Sequence, residues 1–259
     1  MRHSLKRAFS LVELSIVLVI LGLLVGGVLS GQSLIRAAEI RAATSEYSRF
    51  LAATQSFRDK YFALPGDMTN ATAFWGAAHA TPVTCLTTLG TGTQTCNGNG
   101  DGQIARNEPL GNHEFFRFWQ HLANAGLIEG NYTGIPASGF AGSSTANSPR
   151  SRVPSGFWFT AHAGTMSGGT DVFDGNFGNT WELGVITPNF HPSSPLFKPE
   201  ELWNIDVKVD DGLPARGNLT ARAPFNNTCT SAANSADLSA TYLLTSATTA
   251  CVAYFRNLF

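Results

Sequence analysis

The sequence predicts an α+β protein, with one long N-terminal helix packed on an antiparallel β-sheet in a globular head. Two observations carry this. An apolar run from Leu14 to Leu29 passes, with no proline before Pro65, into a stripe spaced by threes and fours: Ile40, Ala43, Tyr47, Phe50, Thr54, Phe57 and Tyr61. From about residue 150 onward, short apolar runs (SGFWFTAHAG, TWELGVITP, LWNIDVKVDDG, TYLLTSATTACVAYF) alternate with Gly/Pro/Asn clusters, the pattern of antiparallel strands and turns.

The N-terminal elements come first. Arg2, His3, Lys6 and Arg7 form a short basic head, and the stretch from Phe9 to Leu29 is long enough to cross a bilayer as a helix. Beyond it, Glu39, Arg41, Glu46, Arg49, Arg58 and Lys60 mostly fill the faces opposite the stripe, so a single helix is expected to run to about Phe62. A cleaved secretory signal would not be fused to the spine of its own domain. One residue is out of place in this segment. Glu13 puts a carboxylate into hydrocarbon, which is costly without a partner and is therefore a functional hypothesis by default.

The stretch KRAFSLVELS, a basic leader followed by Phe-Ser-Leu-Val-Glu-Leu and a long apolar helix, resembles the N-terminal cleavage and methylation segment of type IV prepilins and type II secretion pseudopilins. The resemblance implies a pilin-like fold with a leader at residues 1–8, a helix at 9–62 that is transmembrane over 9–30, and a head at 63–259. It implies cutting between Ala8 and Phe9 by a prepilin peptidase, N-methylation of Phe9, and a role for Glu13 in assembly. The freed amine of one subunit would meet the Glu13 carboxylate of its neighbour, so that two costly charges neutralise each other and set axial register. It also implies a bacterial inner-membrane protein with its head in the periplasm. Such a subunit meets an assembly platform and other subunits, and passes into a pseudopilus or a surface pilus. The alternative within the same resemblance is a minor tip or initiator subunit whose head binds a substrate or surface.

In the head, ALPGDMTNATAFWG opens on a Pro-Gly breaker. Asp67 is expected to cap a short helix ending near Trp75. LPGD with FWG downstream resembles one large-headed branch of these proteins. Cys85, Cys96, Cys229 and Cys251 allow three pairings; in an exported chain the sequence-local one, 85 with 96 and 229 with 251, is simplest. Without a Cys-x-x-Cys pair, a zinc site is disfavoured.

NGNGDGQIARNE, residues 97–108, follows the twelve-residue calcium loop. Asn97, Asn99 and Asp101 stand at the first three ligand places, Gly102 at the sharp turn, Gln103 at the carbonyl ligand and Glu108 at the last. With two carboxylates the expected affinity is in the weak extracellular range, about 0.1 to 1 mM. Next, Asn112 is expected to cap a helix HEFFRFWQHLANA, with Phe115, Phe118, Trp119 and Leu122 on its apolar face and His113 and His121 on its exposed side. DVKVDDG resembles the same pilin branch, where it lies on a strand before a turn. Asp206, Asp210 and Asp211 could hold a second ion, but a solvated strand end with a turn at Asp211-Gly212 is the simpler reading.

Composition excludes several classes. With 17 basic and 18 acidic residues the net charge is -1, so no overall field draws in nucleic acid. The six histidines are scattered, and the sequence contains no Gly-x-Ser-x-Gly, His-Glu-x-x-His or phosphate loop; an enzyme is not expected.

Overall fold

A computed structural model of the chain describes residues 10–105, 114–137, 142–169, 171–187, 190–222 and 228–259. Helix α1 spans Leu11–Tyr61 without a break, through Gly22, Gly26, Gly27 and Gly31. Ser10 caps it, its Oγ accepting from the Val12 N–H at 3.3 Å. It ends at Phe62, which takes the left-handed conformation (φ 53°) just before Pro65. In the first half of α1, residues 11–30 are all exposed. In the second half, Ile40, Ala43, Phe50, Thr54 and Phe57 of the stripe read from the sequence are buried and its Tyr47 and Tyr61 half-buried, while Ala53 and Glu46 are buried with them, Glu46 against its expected place on another face. Burying a phenylalanine such as Phe50 or Phe57 contributes about 2 kcal/mol each.

The head places short α2 (Ala71–Trp75) and α3 (Pro82–Cys85) before α4 (Glu114–Asn124). Strands β1 (Gly156–His162), β2 (Thr165–Met166), β3 (Gly175–Asn176) and β4 (Asn179–Val185) lead to helix α5 (Pro199–Val209). Strands β5 (Leu219–Arg222) and β6 (Val252–Phe255) follow. The main sheet has the order β1-β4-β6-β5 and is antiparallel throughout, with β2 and β3 forming a separate hairpin. The chain is thus α+β, a long N-terminal helix with an antiparallel sheet in a globular head, in the pilin-like arrangement expected.

The core is aromatic. Phe50 of α1 meets Trp119, Trp158 and Trp181 edge-on at 5.1, 5.5 and 6.3 Å, so helix, α4 and sheet share one cluster. Two disulfides close the sequence-local loops, Cys85–Cys96 and Cys229–Cys251.

Three expectations are corrected. LWNIDVKVDDG is not a strand: it forms α5, with Pro199 in its first turn, Glu200 and Glu201 beside it, and Leu202, Ile205 and Asp206 buried. The alternation in IDVKV imitates period two, but Leu202, Ile205 and Val209 follow the helical period, and the Pro-Glu-Glu start favours a helix N-terminus. His121 is fully buried, because α4 is enclosed on all sides over its first two turns and has no exposed face there. Asp67 caps nothing in α2, whose N-cap Asn70 makes no side-chain bond; its carboxylate turns to the loop at 100–102 instead. In the C-terminal run only Val252–Phe255 pairs as a strand. Asn112 and His113 lie outside the described residues.

Candidate assembly segment and carboxylate loop

Helix α1 is long and apolar enough to cross a membrane, and none of its most apolar window is buried. Leu11, Val12, Leu14, Ile16 through Leu21, Leu23 to Val25, Val28, Leu29, Leu34 and Ile35 are all exposed. Water would not support such a surface, so it belongs against lipid or other helices. At its start Glu13 reaches back to the Ser10 N–H at 2.9 Å, closing a capping box with Ser10. A carboxylate there also complements the positive end of the helix dipole. Ala8 and Phe9 lie outside the described residues.

The packed half begins at Arg36. Its guanidinium holds both oxygens of Glu201 on α5 (2.6 and 2.7 Å), Glu39 at 3.1 Å and the Leu196 carbonyl at 3.2 Å. Higher up, the buried Glu46 accepts from the Ser151 hydroxyl (2.7 Å), the Arg152 N–H (2.8 Å) and the Trp158 indole (2.9 Å). α1 is therefore fixed to the head at two heights by polar contacts around an apolar seam.

The loop at 97–105 is organised differently from its sequence reading. Asn97 Oδ1 is taken by the Thr72 N–H at 2.9 Å, Asn99 pairs with Asp101 at 3.0 Å, and Glu108 lies outside the described residues. Two acids from elsewhere in the chain close on the loop. Asp67 accepts from the N–H groups of Gly100 (2.5 Å), Asp101 (3.1 Å) and Gly102 (2.9 Å). Glu114, at the start of α4, accepts from Asn99 (3.0 Å) and Ala105 (2.8 Å). With Asp101 they bring three carboxylates within 4.8 Å of one another. Burial pushes Glu114 up to about 7, Asp67 and Asp101 adding to the rise against the pull of its two amide bonds; Asp67 is also raised, chiefly by burial. The all-oxygen set suits a hard cation such as calcium, which takes about six to eight oxygens. Asp67 and Glu114 escape the loop motif because Asp67 stands well before it in sequence and Glu114 just beyond its last position, at the start of α4; the only hint is an acid directly after the Pro65-Gly66 turn. Gly66 itself has φ +84° and lies so close to Glu114 that a Cβ would meet its carbonyl oxygen at 2.4 Å.

A second group, Asp206, Asp210 and Asp211, also gathers within 4.8 Å, at the end of α5. Asp206 is buried and accepts from the Tyr242 hydroxyl (2.8 Å) and the Gly212 N–H (3.2 Å); burial raises it to about 7. Elsewhere a chain runs from the core to the surface, linking the buried His191 Nδ1 to the buried Glu182 (2.6 Å), Glu182 to Arg222 (2.5 Å) and Arg222 to the exposed Asp171 (2.9 Å). His191 meets a carboxylate and a guanidinium there, not a nucleophile. Glu182 is held below the usual carboxylate range because Arg222 and His191 outweigh its burial.

Against known proteins, residues 3–29 match the prokaryotic N-terminal methylation motif, the prepilin-type cleavage and methylation segment. No curated protein and no solved structure matches the chain. The motif is that of structural, fibre-forming proteins; it implies processing by a prepilin peptidase and assembly with other pilin subunits.

Proposed function

We propose that this chain, which carries the prepilin-type segment at its N-terminus, is a structural subunit of a type IV pilus or type II secretion pseudopilus. It is inserted in the inner membrane with its head in the periplasm, cut between Ala8 and Phe9, N-methylated at Phe9, and polymerised from an assembly platform through its helix. The observation that carries this is the continuity of α1, a methylation motif joined to a bare apolar half-helix whose other half is built into the head. Glu13 then pairs with the amine of a neighbour in the fibre. Terminal mass spectrometry of the mature protein is the test. A chain beginning with methylated Phe9 is expected; an intact Met1 or a cut near Ser30 would contradict the reading.

One observation favours the tip-subunit alternative. Phe62, whose left-handed backbone closes α1 with its N–H on the Arg58 carbonyl, leaves its ring 94% exposed, and it lines a cleft of about 840 Å³ with Arg58, Asp67 and Phe259. Copy number in purified fibres separates the two roles: many copies for a main subunit, about one per fibre for a tip.

Calcium at the carboxylate loop is a further part of the proposal, with Asp67, Asp101 and Glu114 as its charged ligands. The convergence of three carboxylates on a loop with calcium-loop spacing supports it. Its role there would be structural, offsetting mutual repulsion of the three acids.

A further inference from the structure

The chain contains two Asn-Gly dipeptides, Asn97-Gly98 and Asn99-Gly100, both in the carboxylate loop and both with an exposed asparagine. In such a pair the side-chain amide is open to attack by the next backbone nitrogen, because glycine has no Cβ to shield that nitrogen. The fold treats the two asparagines differently. Asn97 is engaged elsewhere, its Oδ1 accepting the Thr72 N–H at 2.9 Å. Asn99 folds back on its own backbone: its Oδ1 accepts the Asp101 N–H at 3.0 Å, two residues on, which closes an Asx turn and lays the side-chain amide carbon beside the Gly100 nitrogen.

Each atom of Asn99-Gly100 that would change its bonding already has a partner. The Gly100 N–H donates to Asp67 Oδ1 at 2.5 Å as well as to the Asp67 carbonyl at 3.0 Å, so a carboxylate stands ready to take its proton. That carboxylate is itself held in place by the Gly102 N–H at 2.9 Å. Asn99 Oδ1, where negative charge would gather during attack, holds the Asp101 N–H, which it shares with Asp67 at 3.1 Å. Asn99 Nδ2, the leaving nitrogen, donates to Asp101 Oδ2 at 3.0 Å, which fixes the plane of the amide. The Gly98 N–H, by contrast, donates only to the Met68 carbonyl at 2.9 Å, and a carbonyl does not take a proton.

We propose that Asn99 is a site of self-deamidation, and that the aspartate formed at position 99 is a further cation ligand of the loop. The Gly100 nitrogen attacks Asn99 Cγ and closes a succinimide ring as the bond from Cγ to Nδ2 breaks. The proton taken by Asp67 returns through water to the departing nitrogen, which leaves as ammonia. Water then opens the bond between Cγ and the Gly100 nitrogen, which restores the backbone and leaves a carboxylate. The net change consumes a water and releases an ammonia, with nothing oxidised or reduced. The product sets a fourth carboxylate beside Asp67, Asp101 and Glu114, at a ligand place of the calcium-loop spacing. It also exchanges a hydrogen bond to Asp101 for repulsion, so the converted loop gains more from a cation than the unconverted one. This second half rests on the calcium reading of the loop; the conversion itself does not.

The test incubates the intact chain in detergent with chelator at pH 7.5 and follows the conversion of amide to acid at each asparagine by peptide mass spectrometry. Asn99 is expected to convert about tenfold faster than Asn97 in the folded chain, within what positioned proton-transfer groups contribute, and at the same rate as Asn97 in urea. Asp67→Asn, which keeps the shape of the side chain without its proton acceptor, is expected to bring Asn99 down to the rate of Asn97. Equal rates in the folded chain, or a difference that persists in urea, overturn the site, and this comparison within one molecule stands even where Asp67→Asn does not fold. A folded Asp67→Asn in which Asn99 converts as before overturns the assigned mechanism. The second half is read from the melting temperature against calcium: Asn99→Asp should need about tenfold less calcium than fresh wild type for half of the rise, since affinity follows ligand charge. An equal calcium requirement, or a product that is isoaspartate in place of aspartate, overturns it. If neither chain responds to calcium, the calcium reading and the second half fail together, and the mass measurement alone decides the conversion.

Discussion

Among the described residues, Glu46 and Glu114 are both buried carboxylates outside any ion pair, yet their surroundings differ. Glu46 is fully satisfied by three donors. Glu46→Ala would strand the Trp158 indole and the Arg152 N–H in the core, so a loss of about 3 kcal/mol is expected, read by urea unfolding of the protein in detergent. Glu114 sits beside two other acids and is raised from 4.5 to about 7. A raised carboxyl favours the folded state when protonated; that contribution is whole below about pH 4.5 and lost as pH rises to about 7. Asp206, also raised to about 7, acts in the same direction. In chelator the head should therefore melt lower at pH 7.5 than at pH 5. Calcium binds the charged carboxylates, so millimolar calcium should raise the melting temperature at pH 7.5 and have little effect at pH 5. Asp101→Ala should abolish the calcium effect while leaving the slope due to Asp206. A melting temperature indifferent to calcium at pH 7.5 would leave this loop an ion-free turn held by Asp67 and Glu114. The residues of this site were half legible. Asp101 lies in a local motif, whereas Asp67 and Glu114 are brought in by tertiary packing, which no spacing rule reports.

Among the elements, legibility followed periodicity and length. α1 was readable because its stripe persists over many turns with no proline. α4 was readable as a helix but not in its burial: His121 looked solvent-facing by spacing, whereas its Nδ1 accepts from the Gly66 N–H at 2.9 Å and its Nε2 lies 2.9 Å from Thr95 Oγ1. Desolvation, with Arg117 nearby, lowers it to about 3, which keeps it neutral in the core. α5 was misread because five residues of apparent alternation outweighed a Pro-Glu-Glu helix start. The two disulfides close loops of 11 and 22 residues by sequence separation. Chain-entropy arguments assign them about 3 kcal/mol each. Replacing Cys85 and Cys96 together by Ser should cost about that much in urea unfolding. It should also loosen α4, because Arg117 Nη2 donates to the carbonyls of Cys85 and Leu86 at 3.1 and 3.2 Å. Full stability of the double variant would mean that the loop is held by those hydrogen bonds alone.

At the scale of the whole molecule, the chain divides at Arg36. Below it α1 is bare and apolar; above it the helix is the spine of an aromatic core. A protomer built this way is incomplete, since its largest apolar surface can be satisfied only by lipid and then by other helices. The anatomy was legible in the sequence because both halves of the helix follow simple periodic rules, while the order of the sheet depends on contacts distant in sequence. The central claim, that Glu13 is an assembly residue, has a local rival in the capping box with Ser10. Glutamine can close the same box but carries no charge to meet an amine. The most direct measurement is therefore the amount of Glu13→Gln subunit in fibres, beside wild type and Glu13→Ala, each first shown to be cleaved and membrane-inserted. The account predicts that Glu13→Gln is lost from fibres as severely as Glu13→Ala. Assembly of Glu13→Gln at the wild-type level would contradict it, and would leave Glu13 as the cap of its own helix.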